Sequence, residues 1–392
     1  MMNSYLIESL APLVFRSGKP FGSQSSAQDV IFPLPSAGAG LVRATAIAQQ
    51  KVDFDKNRCG IDDPDYQKVL GIKGQGIYLA RVNQNSIDIL VPKPANALYV
   101  EDKEQKGKID LVRLAPAGIE PDCGSDLPKG LQYVQTVDIN GKPITIKGKP
   151  KSGVNYWHID DLIKWQNNKP LTYDDIKNNG LVSIPTDIRT HVAIDDMTDS
   201  SEDGKLFQTA SFDLSYQKKD KAFDEHRLGF VMLSEQALDD DMVTFGGERR
   251  LSYFKSIKQS IDFIKPNQAL LDNINQAGGF SLTFLTSCVF AKGYLPNWID
   301  ENTMTGKLPD SAVNVQLQAV AVERFQAVSG WDSLLWQPKA TRKAVPAGSV
   351  YWFKCSDKLD MPTLERLCQS LADDSYDQND GFGMALIAPF TI

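Results

Sequence analysis

Histidine is scarce in this sequence, and its cysteines are not arranged to bind metal. Three histidines occur in 392 residues. The five cysteines are odd in number, and no two of them have a CxxC or other zinc-ligand spacing. This pattern excludes a zinc motif and is typical of reduced thiols in a reducing compartment.

Long apolar runs are absent as well. No stretch reaches the roughly 18 apolar residues that a membrane-spanning helix needs, and Glu8 lies where a signal peptide would have its apolar core. The glycines between Gly71 and Gly76 lack the Gly-Lys-Ser/Thr sequence of a phosphate-binding loop. We therefore expect a cytoplasmic protein with no membrane partner, no metal and no cofactor.

Positive charge is in deficit over the whole chain. The 42 basic and 49 acidic residues leave a net charge of -7, which excludes an overall field that attracts nucleic acid. Any nucleic acid must therefore bind at a local patch. Residues 245–258 form such a patch, with four basic side chains and one acidic side chain. Residues 195–203 have five acidic side chains and no basic one.

The stretch Phe245–Leu251 combines glycine with arginine. Gly246 and Gly247 permit backbone bends that other residues rarely adopt, and successive amides in such a bend form a concavity that binds anions. Arg249 and Arg250 follow, and a guanidinium group can donate two hydrogen bonds to one phosphate. The pattern indicates either a corner that holds a nucleic-acid backbone or a hairpin turn with two surface arginines.

The first part of the chain reads as strand, helix and two strands. An apolar strand leads into a basic loop with Arg16 and Lys19, and a helix follows Ser36. Gly38 and Gly40 lie in the first turns of that helix, where they allow close approach to the backbone, and Arg43 lies one turn further on. This order is typical of a ferredoxin-like unit.

Three later stretches complete the pattern. The segment from about 95 to 175 is rich in proline and glycine, and it reads as an irregular insertion with short strands and a short helix after Asp160. Strands on either side of the acidic residues 195–203 predict a projecting β-hairpin. Strands and helices alternate in the second half, which ends in a glycine-rich loop, Asp380–Met384, and a last strand. The fold class predicted is α+β.

Seven short motifs, taken together, resemble one known family. They are Arg-Ser-Gly-Lys-Pro-Phe-Gly at 16–22, Phe-Pro-Leu-Pro-Ser-Ala-Gly-Ala-Gly-Leu-Val-Arg at 32–43, His-Val-Ala-Ile-Asp at 191–195, Asp-Gly-Lys-Leu-Phe at 203–207, Gly-Gly-Glu-Arg-Arg at 246–250, Val-Pro-Ala-Gly-Ser-Val-Tyr at 345–351 and Gly-Phe-Gly-Met-Ala-Leu at 381–386. Their order and spacing resemble the third-subunit family of the Cmr complex, a type III-B CRISPR–Cas effector whose subunits include proteins of the RAMP superfamily.

The resemblance implies two ferredoxin-like, RRM-related RAMP domains. We place them at 1–255 and 256–392, with the insertion at about 95–175 and a β-hairpin thumb at about 189–214 in the first. It also implies a non-catalytic RNA-binding subunit of a ribonucleoprotein in antiviral defence. Such a subunit grips the 5′ handle of the CRISPR RNA, and its neighbours are the large Cas10-type subunit and a backbone subunit.

The candidate RNA-binding residues are cations beside glycine-rich turns, backbone donors and aromatic rings that could stack on bases. The thumb tip lacks basic residues, so contacts there would come from Lys205, Phe207 and the backbone. The full set is Arg16, Lys19, Gly38, Gly40, Arg43, His191, Lys205, Phe207, Gly246, Gly247, Arg249, Arg250, Gly381, Phe382 and Gly383.

Two other functions remain open at this point. A RAMP-type endoribonuclease that processes precursor CRISPR RNA would need a base near the scissile phosphate, and His191 is the best candidate for it. A scaffold subunit that contacts only proteins would suit the acidic composition. For each single cation, the simpler interpretation is a solvated surface role. For Phe207 and Phe382, the simpler interpretation is a place in the core.

Overall fold

The structure is a computed structural model of the chain. It describes residues 2–16, 30–54, 62–83, 86–103, 105, 107–118, 122–138, 140–215, 227–259, 261, 264–332 and 336–391. Lys19 therefore lies outside the described residues.

The strands in chain order are β1 (Asn3–Ser9), β2 (Gly74–Val82), β3 (Ile87–Pro92), β4 (Ala97–Glu101), β5 (Ile109–Ala117), β6 (Tyr133–Val137), β7 (Lys149–Pro150), β8 (Tyr156–His158), β9 (Thr186–Ile194), β10 (Ser201–Phe212), β11 (Arg227–Ser234), β12 (Asp241–Thr244), β13 (Leu251–Ile257), β14 (Gly279–Phe284), β15 (Thr305–Lys307), β16 (Asn314–Ala321), β17 (Gln326–Val328), β18 (Trp331–Asp332), β19 (Gln337–Pro338), β20 (Arg342–Ala344), β21 (Val350–Cys355) and β22 (Ala385–Pro389). The helices are α1 (Pro35–Ala48), α2 (Pro64–Gly71), α3 (Ile159–Gln166), α4 (Tyr173–Asn179), α5 (Gln268–Ala277), α6 (Met361–Leu367) and α7 (Ser375–Asp380).

The contacts divide the chain into two compact units. The first contains residues 1–87, 184–259 and 327–342, and the second contains 88–183, 260–326 and 343–392. The predicted insertion at 95–175 falls within the first segment of the second unit, whereas the domain prediction placed it in the N-terminal domain. Each unit is described by itself.

In the first unit, antiparallel strands run in the order β12, β13, β1, β11, β2. Helix α1 packs on this sheet through a side that includes Gly38, Leu41, Val42 and Thr45. A Cβ atom at Gly38 would lie 2.7 Å from the sulfur of Met232, so glycine is required for this close packing. The helix begins at Pro35, with Leu34 as its N-cap rather than the predicted Ser36.

In the second unit, antiparallel strands run in the order β15, β16, β21, β14, β22. Helix α5 precedes β14. The side chain of Asn267 caps its start, and Gly278, with φ of 75°, ends it in the left-handed conformation.

The segment predicted to be an irregular insertion is largely ordered. Strands β6, β5, β4 and β7 form a sheet, and helices α3 and α4 follow. Their core consists of buried residues that include Tyr99, Trp157 and Trp165. Trp157 donates to the Tyr99 hydroxyl at 2.6 Å, and Trp165 donates to Asn96 at 3.0 Å. The predicted short helix corresponds to α3, and short strands are present as expected. The prediction of otherwise irregular chain was wrong, because proline and glycine counts do not reveal tryptophans that meet only in three dimensions.

The observed fold is a mixed α/β structure with antiparallel sheets, in agreement with the α+β prediction at this level. The predicted hairpin is confirmed as well, since β9 and β10 pair only with each other within the named strands. No helix in the described part of the chain is both long enough and apolar enough to cross a membrane.

Candidate nucleic-acid interface

The segment Leu13–Arg16 connects two of the predicted RNA-binding features in the first unit. Leu13 exchanges two backbone hydrogen bonds with Phe212, at the end of β10, with N–O distances of 2.9 and 2.8 Å. One residue later, the carbonyl of Val14 accepts the amide of Gly247 at 2.8 Å. The base of the hairpin and the glycine turn are thus anchored on adjacent residues, and the exposed Arg16 follows directly.

The glycine turn joins β12 to β13 and is held by local geometry. The amide of Phe245 donates to the carbonyl of Arg250 at 2.9 Å, and the buried Phe245 ring packs edge-on against Phe15 at 5.0 Å. Gly246 has φ of 75°, and a Cβ atom there would lie 2.8 Å from the Val14 carbonyl oxygen. Glycine is therefore required at this position.

The cations of the patch differ in availability. In the described part of the chain the Arg249 guanidinium has no hydrogen bond or ion pair, and the residue is exposed. Arg250 pairs with Glu248 at 2.6 Å, and Lys255 pairs with Glu8 at 2.8 Å. The positive patch is thus weaker than its sequence count suggests, because only Arg249 and Lys258, both exposed, have no ion pair among the described residues.

The sequence predicted that successive amides of this turn form a concavity for an anion, and the structure does not bear this out at Gly247. The amide of Gly247 donates to Val14 and is not available to an anion. What the turn presents to solvent is therefore the Arg249 side chain rather than a complete cradle of amides.

One face of the hairpin carries an aromatic pair. In the register of β9 and β10, Phe207 lies opposite His191, and their rings stack with centroids 5.2 Å apart and planes 19° apart. A ring nitrogen of His191 forms a hydrogen bond with the Thr209 hydroxyl at 2.8 Å. The Phe207 side chain is 42% exposed. This face offers a flat surface on which a base can stack.

The opposite face of the hairpin is aliphatic. Side chains alternate between the faces of a strand, so this face carries Ile188, Val192 and Ile194 from β9 and Leu206, opposite Val192, from β10. All four are exposed, Leu206 to 70%. We call these four side chains the aliphatic face. The period-two pattern at 188, 192 and 194 is visible in the sequence, but sequence analysis did not single out these residues.

The tip of the hairpin is held as a turn by an acidic residue. Asp195 accepts the amides of Met197 and Thr198 at 3.0 and 2.9 Å, and the Thr198 hydroxyl at 3.0 Å. Hydrogen bonds from the Thr198 side chain, and then from the two amides, lower the pKa of Asp195. Lys205 forms an ion pair with Glu202. This ion pair lies at the protein surface, so the role of Lys205 as an RNA contact at the tip stays a prediction.

Of the three predicted RNA-binding residues in α1, two have structural roles and one has no role that the structure defines. The guanidinium of Arg43 is buried and donates to the carbonyls of Leu70 and Ile72 at 2.9 and 3.1 Å. Arg43 thus ties α1 to the end of α2, contrary to its predicted RNA contact. Gly38 is a packing residue, as described above. Gly40 is exposed with open space around it.

The glycine-rich loop at Asp380–Met384 lies in the core of the second unit. Phe382 is 0% exposed. The amides of Gly381, Phe382 and Gly383 donate to the carbonyls of Gln378, Asp377 and Ser287 at 3.1, 3.0 and 2.8 Å. This arrangement leaves no stacking face and no free amide. The predicted RNA contacts by Gly381, Phe382 and Gly383 are therefore not supported.

The candidate catalytic base, His191, has two partners on the hairpin. His191 lies on the exposed hairpin, where its ring stacks on Phe207 and bonds to Thr209. Among the residues that the structure describes, no group of three His, Cys, Asp or Glu side chains is placed to hold a metal ion.

The fold and this site define a mixed α/β protein of antiparallel sheets that presents a two-faced hairpin beside an arginine-bearing turn. Residues 5–389 match the family model described as CRISPR-associated protein (Cas_Cmr3), and the chain belongs to that family. This confirms the resemblance at the level of the family. No curated protein matches the sequence.

The chain is also similar to subunits of solved assemblies. One is a cryo-EM structure of the type III-B Cmr-beta complex bound to cognate target RNA, and another is the same complex bound to cognate target RNA and AMPPnP. In both cases the sequences are 16% identical, and the alignment covers 89% of this chain and 86% of the other. The TM-scores are 0.48 and 0.47.

Proposed function

We propose that this protein is a non-catalytic RNA-binding subunit of a type III-B CRISPR effector. It holds the 5′ handle of the CRISPR RNA and docks to the large Cas10-type subunit and to a backbone subunit. Membership of the Cas_Cmr3 family supports this assignment. The observation that carries it is the segment Leu13–Arg16, which fixes the hairpin base and the Arg249 turn beside each other.

The strand orders support two ferredoxin-like domains. In the first unit, the four strands of such a domain in chain order are β1, β2, β11 and β13. They lie side by side as β13, β1, β11 and β2, which is the order 4-1-3-2. The strands β14, β16, β21 and β22 of the second unit have the same order. Antiparallel sheets of this order are the arrangement expected for a split βαβ fold, although each unit has a helix in only one of the two usual connections.

The RNA-binding role rests on two kinds of contact. Arg249 and Arg16 contact phosphates, since both are exposed and lie near the same anchoring segment. The stacked pair of His191 and Phe207 offers a platform to an unpaired base. Specific placement of single-stranded RNA needs both, because phosphates fix the strand and stacking fixes a base.

The docking role rests on the aliphatic face. Aliphatic side chains do not stack on bases as aromatic rings do, and exposed apolar side chains grouped on one surface mark a protein contact. The five acidic residues at 195–203 repel phosphate and favour a partner protein with basic residues around an apolar patch. The hairpin thus separates its two partners, with RNA on the aromatic face and a subunit on the other.

The phosphate contact is tested by the salt dependence of RNA binding. Wild type, Arg249→Ala and Lys307→Ala are compared with single-stranded RNA of the repeat-derived handle sequence. The slope of log K against log salt should fall by about 0.7 for Arg249→Ala, because one phosphate contact is lost. Lys307, an exposed cation of the second unit, should leave the slope unchanged. Equal slopes for all three proteins would remove Arg249 from the interface, and wild type that binds no RNA would favour the protein-only scaffold.

The two-faced hairpin is tested with adjacent residues. Phe207→Ala should weaken RNA binding by roughly 5- to 150-fold, the range expected for one stacked base, while co-purification with the other subunits is kept. Leu206→Glu should abolish co-purification while RNA binding is kept. If both variants lose the same partner, the division of the hairpin into an RNA face and a protein face is wrong.

A further inference from the structure

Two tryptophans are exposed in a second hairpin of the first unit. Trp331 is 52% exposed and Trp336 is 74% exposed. All six tryptophans of the chain lie within the described residues, and the other four are buried or partly buried. Exposure of two indole rings in one short segment is costly in water, so a ligand or partner is expected to cover them.

The two rings are held next to each other. Strands β18 and β19 pair so that Trp331 lies opposite Pro338. The ring centroids of Trp331 and Trp336 are 5.8 Å apart, with their planes at 87°. In this edge-to-face arrangement, the ring that contributes its edge keeps both of its faces uncovered by its partner. The pair therefore has at least one flat surface for a ligand.

The pair is fixed to the body of the unit. The buried Tyr66, in α2, donates its hydroxyl to the carboxylate of Asp332 at 2.8 Å. Across the hairpin, the Lys339 amide donates to Gly330 at 2.9 Å, and the Ser329 hydroxyl donates to the Lys339 carbonyl at 3.0 Å. A support ordered before binding reduces the entropy lost when a ligand is bound.

The cations of this segment favour a nucleic-acid ligand. The part that belongs to the first unit, residues 327–342, has two basic side chains, Lys339 and Arg342, and one acidic side chain, Asp332, whose carboxylate accepts the hydrogen bond from Tyr66. Lys339 and Arg342 are exposed beside the tryptophans in sequence. Aromatic rings flanked by cations are the combination that binds single-stranded nucleic acid. A protein interface also uses tryptophan, but the exposed residues 337–342 are two cations, two polar residues, a proline and an alanine, and they lack the large aliphatic side chains of the thumb hairpin.

We propose that Trp331 and Trp336 form a stacking site for bases of single-stranded RNA, and that Lys339 and Arg342 contact its phosphates. The inference rests on the proposed RNA-binding function and adds to it a site separate from the turn at 246–250. Because every base has a π-face, the site binds unpaired RNA with little sequence preference.

Tryptophan fluorescence of the full chain tests the proposal. Wild type is titrated with oligouridylate of about ten nucleotides, a length within the range of single-strand binding sites. The RNA should quench the emission and reduce collisional quenching by acrylamide, because the two exposed indoles become covered. A duplex of the same length should do neither, since its bases are already paired.

Variants measure the contribution of the rings. The double variant Trp331→Ala/Trp336→Ala should bind oligouridylate roughly 5- to 150-fold more weakly for each stacked base. Trp331→Phe/Trp336→Phe should lose less, because a smaller ring still stacks. Tyr376→Ala, which removes another exposed aromatic side chain, should bind like wild type. Unchanged circular dichroism would show that the variants fold.

Three outcomes would overturn the proposal, and they differ in what else they affect. If wild type binds RNA but acrylamide reaches the indoles equally with and without it, the stacking site is wrong and the proposed function stands. The same holds if the double variant binds RNA like wild type but no longer co-purifies with other subunits, which would make the pair a protein contact. If wild type binds no RNA at any salt concentration, the proposed function fails together with this inference.

Discussion

The turn at 245–251 and the loop at 380–384 are both rich in glycine with positive φ, yet they have different surroundings. In the first, one amide bonds to Val14 and the Arg249 side chain extends into solvent. In the second, three consecutive amides bond to carbonyls of the core, and the phenylalanine between the glycines is fully buried. Glycine allows the backbone to bend, but the neighbouring chain decides whether the bend can bind a ligand.

Phe207 and Phe382, both predicted to stack on RNA bases, differ in the same way in their exposure to solvent. Phe207 lies on an exposed hairpin with its ring against His191, and Phe382 is enclosed by the second unit. One ring can meet a base and the other cannot. The comparison teaches that an aromatic side chain is a stacking candidate only where no other part of the chain packs over its ring.

The largest expected effect concerns these two rings. Phe382→Ala should lower the free energy of unfolding by about 4 kcal/mol, because it removes a fully buried ring and leaves a cavity. Phe207→Ala should change it by less than about 0.5 kcal/mol. Urea unfolding of both variants measures the difference. Equal stabilities would mean that Phe382 is not a core residue.

Next in size is a glycine substitution in the buried loop. Gly383 has φ of 72°, and a Cβ atom there would lie 2.7 Å from the Cys288 sulfur and 2.8 Å from the Ala372 amide nitrogen. Gly383→Ala should cost about 3 kcal/mol from overpacking and backbone strain together. Gly40→Ala, at an exposed helix position with open space, should instead stabilise the protein by roughly 0.5–1 kcal/mol. Thermal unfolding of the two variants should therefore shift in opposite directions.

A smaller loss of stability is expected when the buried Arg43 is replaced, and none is expected when the exposed Arg249 is replaced. Arg43→Met should lower the free energy of unfolding by about 2 kcal/mol, because two buried carbonyls lose their donor. The salt slope of RNA binding should not change. Arg249→Ala should show the reverse, with a changed slope and unaltered stability. A change of slope in Arg43→Met would restore Arg43 as an RNA contact.

The smallest effect is the titration of the hairpin tip. The pKa of Asp195 is lowered in the folded protein, so its carboxylate stabilises the tip at pH values above the ordinary aspartate pKa. This contribution is lost as the pH falls through the lowered value. NMR titration of the Thr198 amide should have its midpoint below the ordinary aspartate pKa. Thr198→Ala should raise that midpoint, and a midpoint that does not move would mean that Thr198 does not bond to Asp195.

Several features of the fold and site could be predicted because they depend on neighbours in sequence. The hairpin of β9 and β10 follows from alternation on both sides of an acidic turn. The end of α5 follows from Gly278, and the bend at Gly246 follows from that glycine, whereas the positive φ of Glu248 and Arg249 was not predicted. The family follows from seven motifs in fixed order, and the family match confirms it.

Other features could not be predicted because their partners are distant in sequence. The amide of Gly383 bonds to Ser287, and Arg43 bonds to the end of a different helix. Trp157 meets Tyr99 to build a core in a stretch whose composition predicts irregular chain. The sequence shows where all six tryptophans occur along the chain. Only the structure shows that those in β18 and beside β19 are exposed and that the other four are buried or partly buried.

The sequence alone determined the elements whose energy comes from local backbone preference and side-chain alternation, together with the family to which the chain belongs. Tertiary structure decided which glycine turn, which arginine and which aromatic ring remain available to a ligand. The reason is physical: a backbone conformation depends on a few adjacent residues, whereas solvent access and the satisfaction of each hydrogen-bonding group depend on everything that packs around them.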